Sequence, residues 1–386
     1  MVAHQLQTLA VSAHSAILLS GAPGSDNGEL PVRWIRKKYK SLAYLPGLWW
    51  ELFKLGRQWK PDVLHIHQPL IGWLAHLAIP RSVSRIYHFH SFWGEEKQSH
   101  ARSGFQRCLS LLKGRMEMAL LRKMNKFIVL SDYSEARLRQ AGIVGKIWKI
   151  PGAVDLKAWP MGEWGDINTE NININKNINI NKNINIDKNI NINKNVSQPA
   201  ISHSANIPSL RLLSVRRLDP RMGLDLLLRA LSILRQARPI ELCIVGTGRE
   251  EEHLKKLCGE LSLDKCVTFS GRVGDVALKE LMASHDIMVI PTRELEGFGL
   301  SVIEAWAAGL PVCATSVGGL VEFARHAPAI HLVGEPAVEN LVSGINYMAE
   351  QGLTSKNLAQ CCRKVATEYY SFDVVGLALL AMYEEV

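Results

Sequence analysis

An apolar strand, a turn with two glycines and an apolar helix follow one another in Pro291-Thr-Arg-Glu-Leu-Glu-Gly-Phe-Gly-Leu-Ser-Val-Ile-Glu-Ala-Trp-Ala-Ala-Gly-Leu-Pro-Val312. The run 287–290 stops at Pro291, the loop carries Gly297 and Gly299, and the pattern predicts a helix over 301–309. That order makes an anion site, because the first backbone N–H groups of a helix lack intrahelical acceptors and the macrodipole is positive there. Glu296 in the loop and Glu304 in the helix, with seven residues between them, are placed to face one ligand beside the turn. Such a ligand carries both phosphate and hydroxyl groups. Ser301 and Glu304 also have capping-box spacing, in which case Glu304 only bonds its own helix start. Gly309 and Pro311 form an ordinary helix stop.

Short buried strands alternate with helical stretches on both sides of one break. In the first half 62–67, 85–91, 126–131 and 147–151 read as strands, with helices near 45–59 and 105–124. In the second, 210–215, 240–245, 267–270 and 287–290 take that part. Alternation of this kind implies parallel sheets covered on both faces, with ligands at the carboxyl ends of the strands. The break is Asn168 to Asn195, almost wholly Asn, Ile and Lys, which offers no aromatic residue and little varied volume for a core. It reads as a disordered insertion with a tendency to β-aggregation. The expected plan is a first domain over 1–160, a linker over 161–208, a second domain over 209–370 and a closing helix over 371–386. A length of 386 residues and a hydrophobic share of 47% suit two such cores.

Charge divides along the same line. Residues 1–160 hold 23 Lys or Arg against 10 Asp or Glu, whereas 197–386 hold 18 against 22. A basic half attracts polyanions. One cluster, Lys113, Arg115, Arg122, Lys123 and Lys126, alternates with Leu109, Leu111, Leu112, Met116, Met118, Leu120 and Leu121, a pattern that fits a helix lying on an anionic membrane. The alternative is a solvated basic face over a buried stripe. Another basic cluster is Arg33, Arg36, Lys37, Lys38 and Lys40; nucleic acid is possible for such a half but is not the expected partner. No apolar run reaches about 18 residues and the start lacks the order of a secretion signal, so a cytoplasmic protein is expected, at most at the inner face of a membrane. Seven cysteines without a C-x-x-C pair suit reduced thiols, and no metal is expected: His65 and His67 share a strand face without a further ligand at metal-site spacing.

Other strand ends carry polar groups. Leu213-Ser-Val-Arg-Arg-Leu-Asp-Pro-Arg-Met-Gly-Leu-Asp225 follows a strand, and Arg217 there could grip a diphosphate bidentately. Tyr87-His-Phe-His-Ser-Phe-Trp-Gly94 ends another, where His90 is either structural or turned to the ligand. Val245-Gly-Thr-Gly248 lacks the full dinucleotide fingerprint.

From Glu296 to Pro311 the chain resembles the signature of retaining glycosyltransferases of family 4. The resemblance runs from about residue 60 to the end, apart from the insertion. It implies the GT-B fold, two Rossmann-like domains with parallel sheets facing across a cleft. It also implies transfer of a hexose from a nucleotide-diphosphate sugar, with retention of configuration, to a glycan or lipid-linked acceptor, and no required metal or other cofactor. By resemblance Glu296 lies against hydroxyls of the transferred sugar, Glu304 binds the ribose, and the backbone of Gly297, Phe298, Gly299 and Leu300 meets the diphosphate. His90 matches the histidine of an F-H-G-x-W segment, placed beside the sugar. The 213–225 stretch is similar to a G-R-L…P-R-K-G segment whose Arg and Lys stabilise the departing diphosphate. Arg217 matches the Arg, but Met222 stands where the Lys is expected. Losing a preorganised cation there costs on the order of 10² in rate unless a neighbour such as Arg221 replaces it. Arg272 and Val273, in the segment Gly271-Arg-Val273, match a strand end whose backbone meets the nucleobase. Asp62-Val-Leu-His-Ile-His-Gln-Pro69, Ser131-Asp-Tyr-Ser134, Ile150-Pro-Gly-Ala-Val-Asp155 and a closing helix over 372–385 match further segments. The family's opening strand and Gly-Gly turn have no counterpart, so the expected first sheet lacks a strand and the chain is a fragment or starts late. The alternative function is a catalytically silent nucleotide-sugar-binding paralogue or truncated fragment, and a third reading is nucleic-acid binding through the basic half.

Overall fold

The structure, a computed structural model, describes residues 45–99, 103–159, 209–350 and 356–386, together with the backbone of 16–20 and 32–36. The whole of the expected linker, with the insertion at 168–195, Lys37, Lys38 and Lys40, and the chain before Ala16 lie outside the described residues.

Parallel strands dominate, as the alternation predicts. β1 (Ala16–Ser20) pairs with β2 (Val32–Arg36). β3 (Val63–Ile66), β4 (Ser84–Phe89), β5 (Lys126–Val129) and β6 (Lys146–Lys149) form a parallel sheet in sequence order. The second domain adds β7 (Leu210–Val215), β8 (Ile240–Val245), β9 (Val267–Gly271), β10 (Ile287–Ile290), β11 (Val312–Ala314) and β12 (Ile330–Leu332). Their order is β12-β11-β10-β7-β8-β9. The chain winds outward in both directions from the β7–β10 pair, so the crevice outside the carboxyl ends of these two strands is the natural ligand site.

Burial explains the sequence pattern. All four residues of β10 are fully buried, as expected of a strand covered on both faces. Helix Leu224–Leu234 turns Leu227, Leu228 and Leu231 into the core beneath β7, each contributing about 1.5–3 kcal/mol through burial. The C-terminal helix Phe372–Glu384 packs Leu379 and Met382 against Ile86 and Ile128 of the first sheet. Lys146 and Trp148 both bond Glu385 just beyond it, at 2.6 and 3.1 Å.

Several expected bounds shift for local reasons. β5 ends at Val129 because Ser131 caps the following helix Asp132–Gln140, accepting from the N–H of Ser134. The basic helix spans Gly104–Leu121, N-capped by Ser103. Along it Phe105, Leu109, Leu112 and Met116 form an exposed stripe, while Leu120 and Leu121 are buried. The bland reading of that helix, with all its apolar residues underneath, therefore holds only for its last turn. No helix among the described residues is long and apolar enough to cross a membrane.

Candidate functional site

The loop from Thr292 to Gly299 leaves β10 at the switch point and is held from several sides. Thr315 donates to the carbonyl of Thr292 at 2.6 Å, Arg221 Nη1 to that of Leu295 at 2.9 Å, and the N–H of Gly319 to that of Glu296 at 2.8 Å. Ser131 donates to the Gly297 carbonyl from across the cleft. Gly299 is the N-cap of helix Leu300–Ala307 with φ +101°, a left-handed conformation that favours glycine; a Cβ there would stand 2.8 Å from Leu320 Cδ2. At Gly297 an added Cβ would come within 2.9 Å of the His90 carbonyl oxygen, so glycine lets the two domains approach.

The helix starts one residue before the predicted Ser301, and no side chain caps it. The capping-box alternative for Glu304 is thereby excluded. Its carboxyl has no hydrogen-bond partner among the described residues, and burial, with Asp275 adding to it, pushes its pKa up to about 7. Glu296 is engaged differently: its Oε2 accepts from Arg216 Nη2, which also reaches the hydroxyl of Thr292. That ion pair is nearly closed to solvent, with the arginine side chain 7% and the glutamate 15% exposed.

Arg217 sits at the mouth, half exposed, 3.6 Å from Glu96 of the first domain. Arg221 is buried and lies 4.0 Å from the same carboxylate. Burial lowers the pKa of Arg221, and the neighbouring Arg217 lowers it further. Met222, next to Arg221 in the chain, is buried. Phe298 turns its ring into an aromatic cluster with Phe323, Tyr370 and Trp306, so only its backbone is left for a ligand. Leu300 is part exposed and close to Gly152 of the first domain. Arg272 is exposed and Val273 half buried, just past the end of β9.

Across the cleft, His90 follows β4. Its Nε2 lies 3.3 Å from Nδ1 of His67, and burial pulls its pKa down to about 4 although Glu96 opposes the shift. His65 bonds His88 at 3.2 Å and the Tyr383 hydroxyl at 2.5 Å. Burial lowers the pKa of each of the three further imidazoles, so all four are neutral near pH 7. The sequence showed no third ligand for His65 and His67; the register of β3 on β4 supplies one. The potential ligand atoms of His65, His67 and His88 all lie within 4.8 Å of one another, close enough to hold a metal ion. Sequence spacing could not show a cross-strand partner.

Two groups escaped the sequence reading. Arg216 is not among the residues the sequence singles out, although a basic residue directly after a strand at the switch point is the available signal. Ser131 lies in a segment singled out by resemblance without a site role, yet its hydroxyl reaches the Gly297 carbonyl.

Known proteins resemble both halves. The family described as "Glycosyltransferase Family 4" matches residues 2–158, and "Glycosyl transferases group 1" matches 200–365. Over 173 residues the chain is 31% identical to an uncharacterized glycosyltransferase of Methanocaldococcus jannaschii, covering 45% of this chain and 44% of that one. Over 168 residues it is 38% identical to a GDP-mannose-dependent monoacylated alpha-(1-6)-phosphatidylinositol monomannoside mannosyltransferase of Corynebacterium glutamicum, covering 42% and 43%. The matched stretches thus span less than half the length of these relatives. The fold matches that of Anabaena HepE, solved in complex with UDP-glucose, with a TM-score of 0.71 and 17% identity over 100% of this chain and 95% of that one.

Proposed function

Because the chain belongs to glycosyltransferase family 4 and has the GT-B fold, we propose that it transfers a hexose from a nucleotide-diphosphate sugar to a glycan or lipid-linked acceptor, with retention at the anomeric carbon. One observation carries this most: the loop Thr292–Gly299 and the start of helix Leu300–Ala307 lie at the switch point with Glu296, Glu304 and three arginines around them. Breaking the bond from the anomeric carbon to the diphosphate leaves the electron pair on oxygen. Arg217, Arg221 and the backbone N–H groups near Gly299 are arranged to meet that charge. Glu304 suits a ribose, Glu296 and neutral His90 suit sugar hydroxyls, and the backbone near Arg272 and Val273 suits a base.

A phosphorylated or lipid-linked acceptor is favoured by the basic first domain, and peripheral contact with an anionic membrane by the stripe on helix Gly104–Leu121. The placement is the inner face of the membrane. The chemistry needs no metal. Incubating the purified chain with UDP-, GDP- and ADP-sugars and lipid-phosphate acceptors in EDTA tests this, with the product's anomeric configuration read by NMR. Retained configuration in EDTA is expected; an inverted product, or transfer only with added metal, overturns that part. Donor binding without transfer to any acceptor would support the silent paralogue instead, for which buried Met222 speaks.

A further inference from the structure

Two positions of the second domain depart together from the segment they resemble: Arg216 stands at the glycine of G-R-L, and Met222 at the lysine of P-R-K-G. Both side chains are buried, the arginine 7% and the methionine 6% exposed. Arg216 directly follows β7 and aims its guanidinium across the switch point at Thr292 and Glu296. Its Nε is closed to solvent and bonded to nothing, and Arg221 Nε is in the same state. Three guanidinium groups, Arg216, Arg217 and Arg221, thus face two carboxylates, Glu296 and Glu96, beside the N-terminus of an eight-residue helix. Positive charge is in excess there, and the guanidinium groups of Arg216 and Arg221 are not fully satisfied by protein acceptors.

We propose, on the premise that the donor is a nucleotide sugar, that Arg216 is a diphosphate-binding residue, supplying from position 216 the cation that position 222 lacks while it holds Glu296 in place. A guanidinium whose Nη2 is spent on Glu296 and Thr292 keeps Nη1 for a phosphate oxygen. The strand end and the 3-10 turn Pro220–Met222 flank the same crevice, so a cation can reach it from either. The pair Arg216/Met222 is then an exchange of places rather than a loss.

Calorimetric titration with inorganic pyrophosphate, and with nucleoside mono- and diphosphates of uracil, guanine and adenine, tests the exchange. The wild type should prefer the diphosphate of its base over the monophosphate. Arg216→Met should weaken diphosphate binding about 10- to 100-fold and leave the monophosphate nearly unchanged. The double variant Arg216→Gly/Met222→Lys should return most of the loss. If Arg216→Met fails to fold, the double variant carries the test: it should stay within about 10-fold of the wild type, and a loss of about 100-fold or more would overturn the exchange. Diphosphate binding in Arg216→Met equal to or tighter than wild type would overturn the assignment, making Arg216 a lock on Glu296 that closes the pocket. So would a wild type that does not discriminate di- from monophosphate. Transfer is read separately: binding that responds as stated, without transfer to any acceptor, retires the proposed activity and leaves Arg216 assigned.

Discussion

Ser131 donates a 2.6 Å hydrogen bond from its Oγ to the carbonyl oxygen of Gly297, joining the end of β5 to the glycine turn after β10. Ser131 Oγ also accepts from the N–H of Ser134 and so caps helix Asp132–Gln140. With the Ser134 hydroxyl, which donates to the Gly297 carbonyl at 3.3 Å, it ties the two domains together where they meet. Ser131→Ala is expected to destabilise the protein by about 1–2 kcal/mol in chemical denaturation. It should also raise the KM for the donor more than it lowers kcat. Unchanged stability and KM would show that the bond is incidental.

Glu304 gives a pH dependence whose sign is fixed. Its folded pKa is raised by burial to about 7, so folding favours the protonated acid. Its stabilising contribution is full below the ordinary carboxylate range and is lost as pH rises through about 7. Nucleotide binding runs the other way, because a ribose diol is held best by the carboxylate: affinity should rise as pH goes from 6 to 8. Glu304→Gln should flatten both profiles. Affinity falling over that interval would contradict the assignment.

Buried Glu117 shapes the segment beyond His90. Its Oε2 accepts from the N–H groups of Trp93 and Gly94, at 2.7 and 3.4 Å, and burial pushes its pKa up to about 7. Glu117→Gln keeps an acceptor without the charge and is expected to cost less than about 1 kcal/mol. Glu117→Ala strands two backbone donors and should cost about 2–4 kcal/mol. Equal effects in thermal unfolding would refute the hydrogen-bonding role.

The two domains differed in how much their residues revealed. The stretch 287–307 was legible because its strand, turn and helix are contiguous, and β7, β8 and β10 because each is an apolar run with a clear stop. β11 and β12, three residues each, are too short to show a period. Ser301 misplaced the helix start because Gly299, through its positive φ, forms the N-cap. The contacts of Arg216 with Glu296 and of His65 with His88 are set by strand order and register, which a single sequence does not display.

Phe105, Leu109, Leu112 and Met116 recur on one face of helix Gly104–Leu121, flanked by Lys113 and Arg115. Vesicles with anionic lipid should carry the wild type upward in flotation, and Phe105→Ser/Leu112→Ser should leave it in the soluble fraction. Flotation equal for both proteins, or absent for the wild type, would count against membrane contact.

The central claim is a nucleotide-sugar site at the switch point of the second sheet, with Glu296 and Glu304 on its ligand. Calorimetric titration of the wild type and of Glu304→Ala with UDP-, GDP- and ADP-sugars measures it most directly. A saturable response selective for one base, weakened about tenfold or more in the variant, is the predicted result. No saturable response to any of the three, or binding that the variant leaves unchanged, would contradict it.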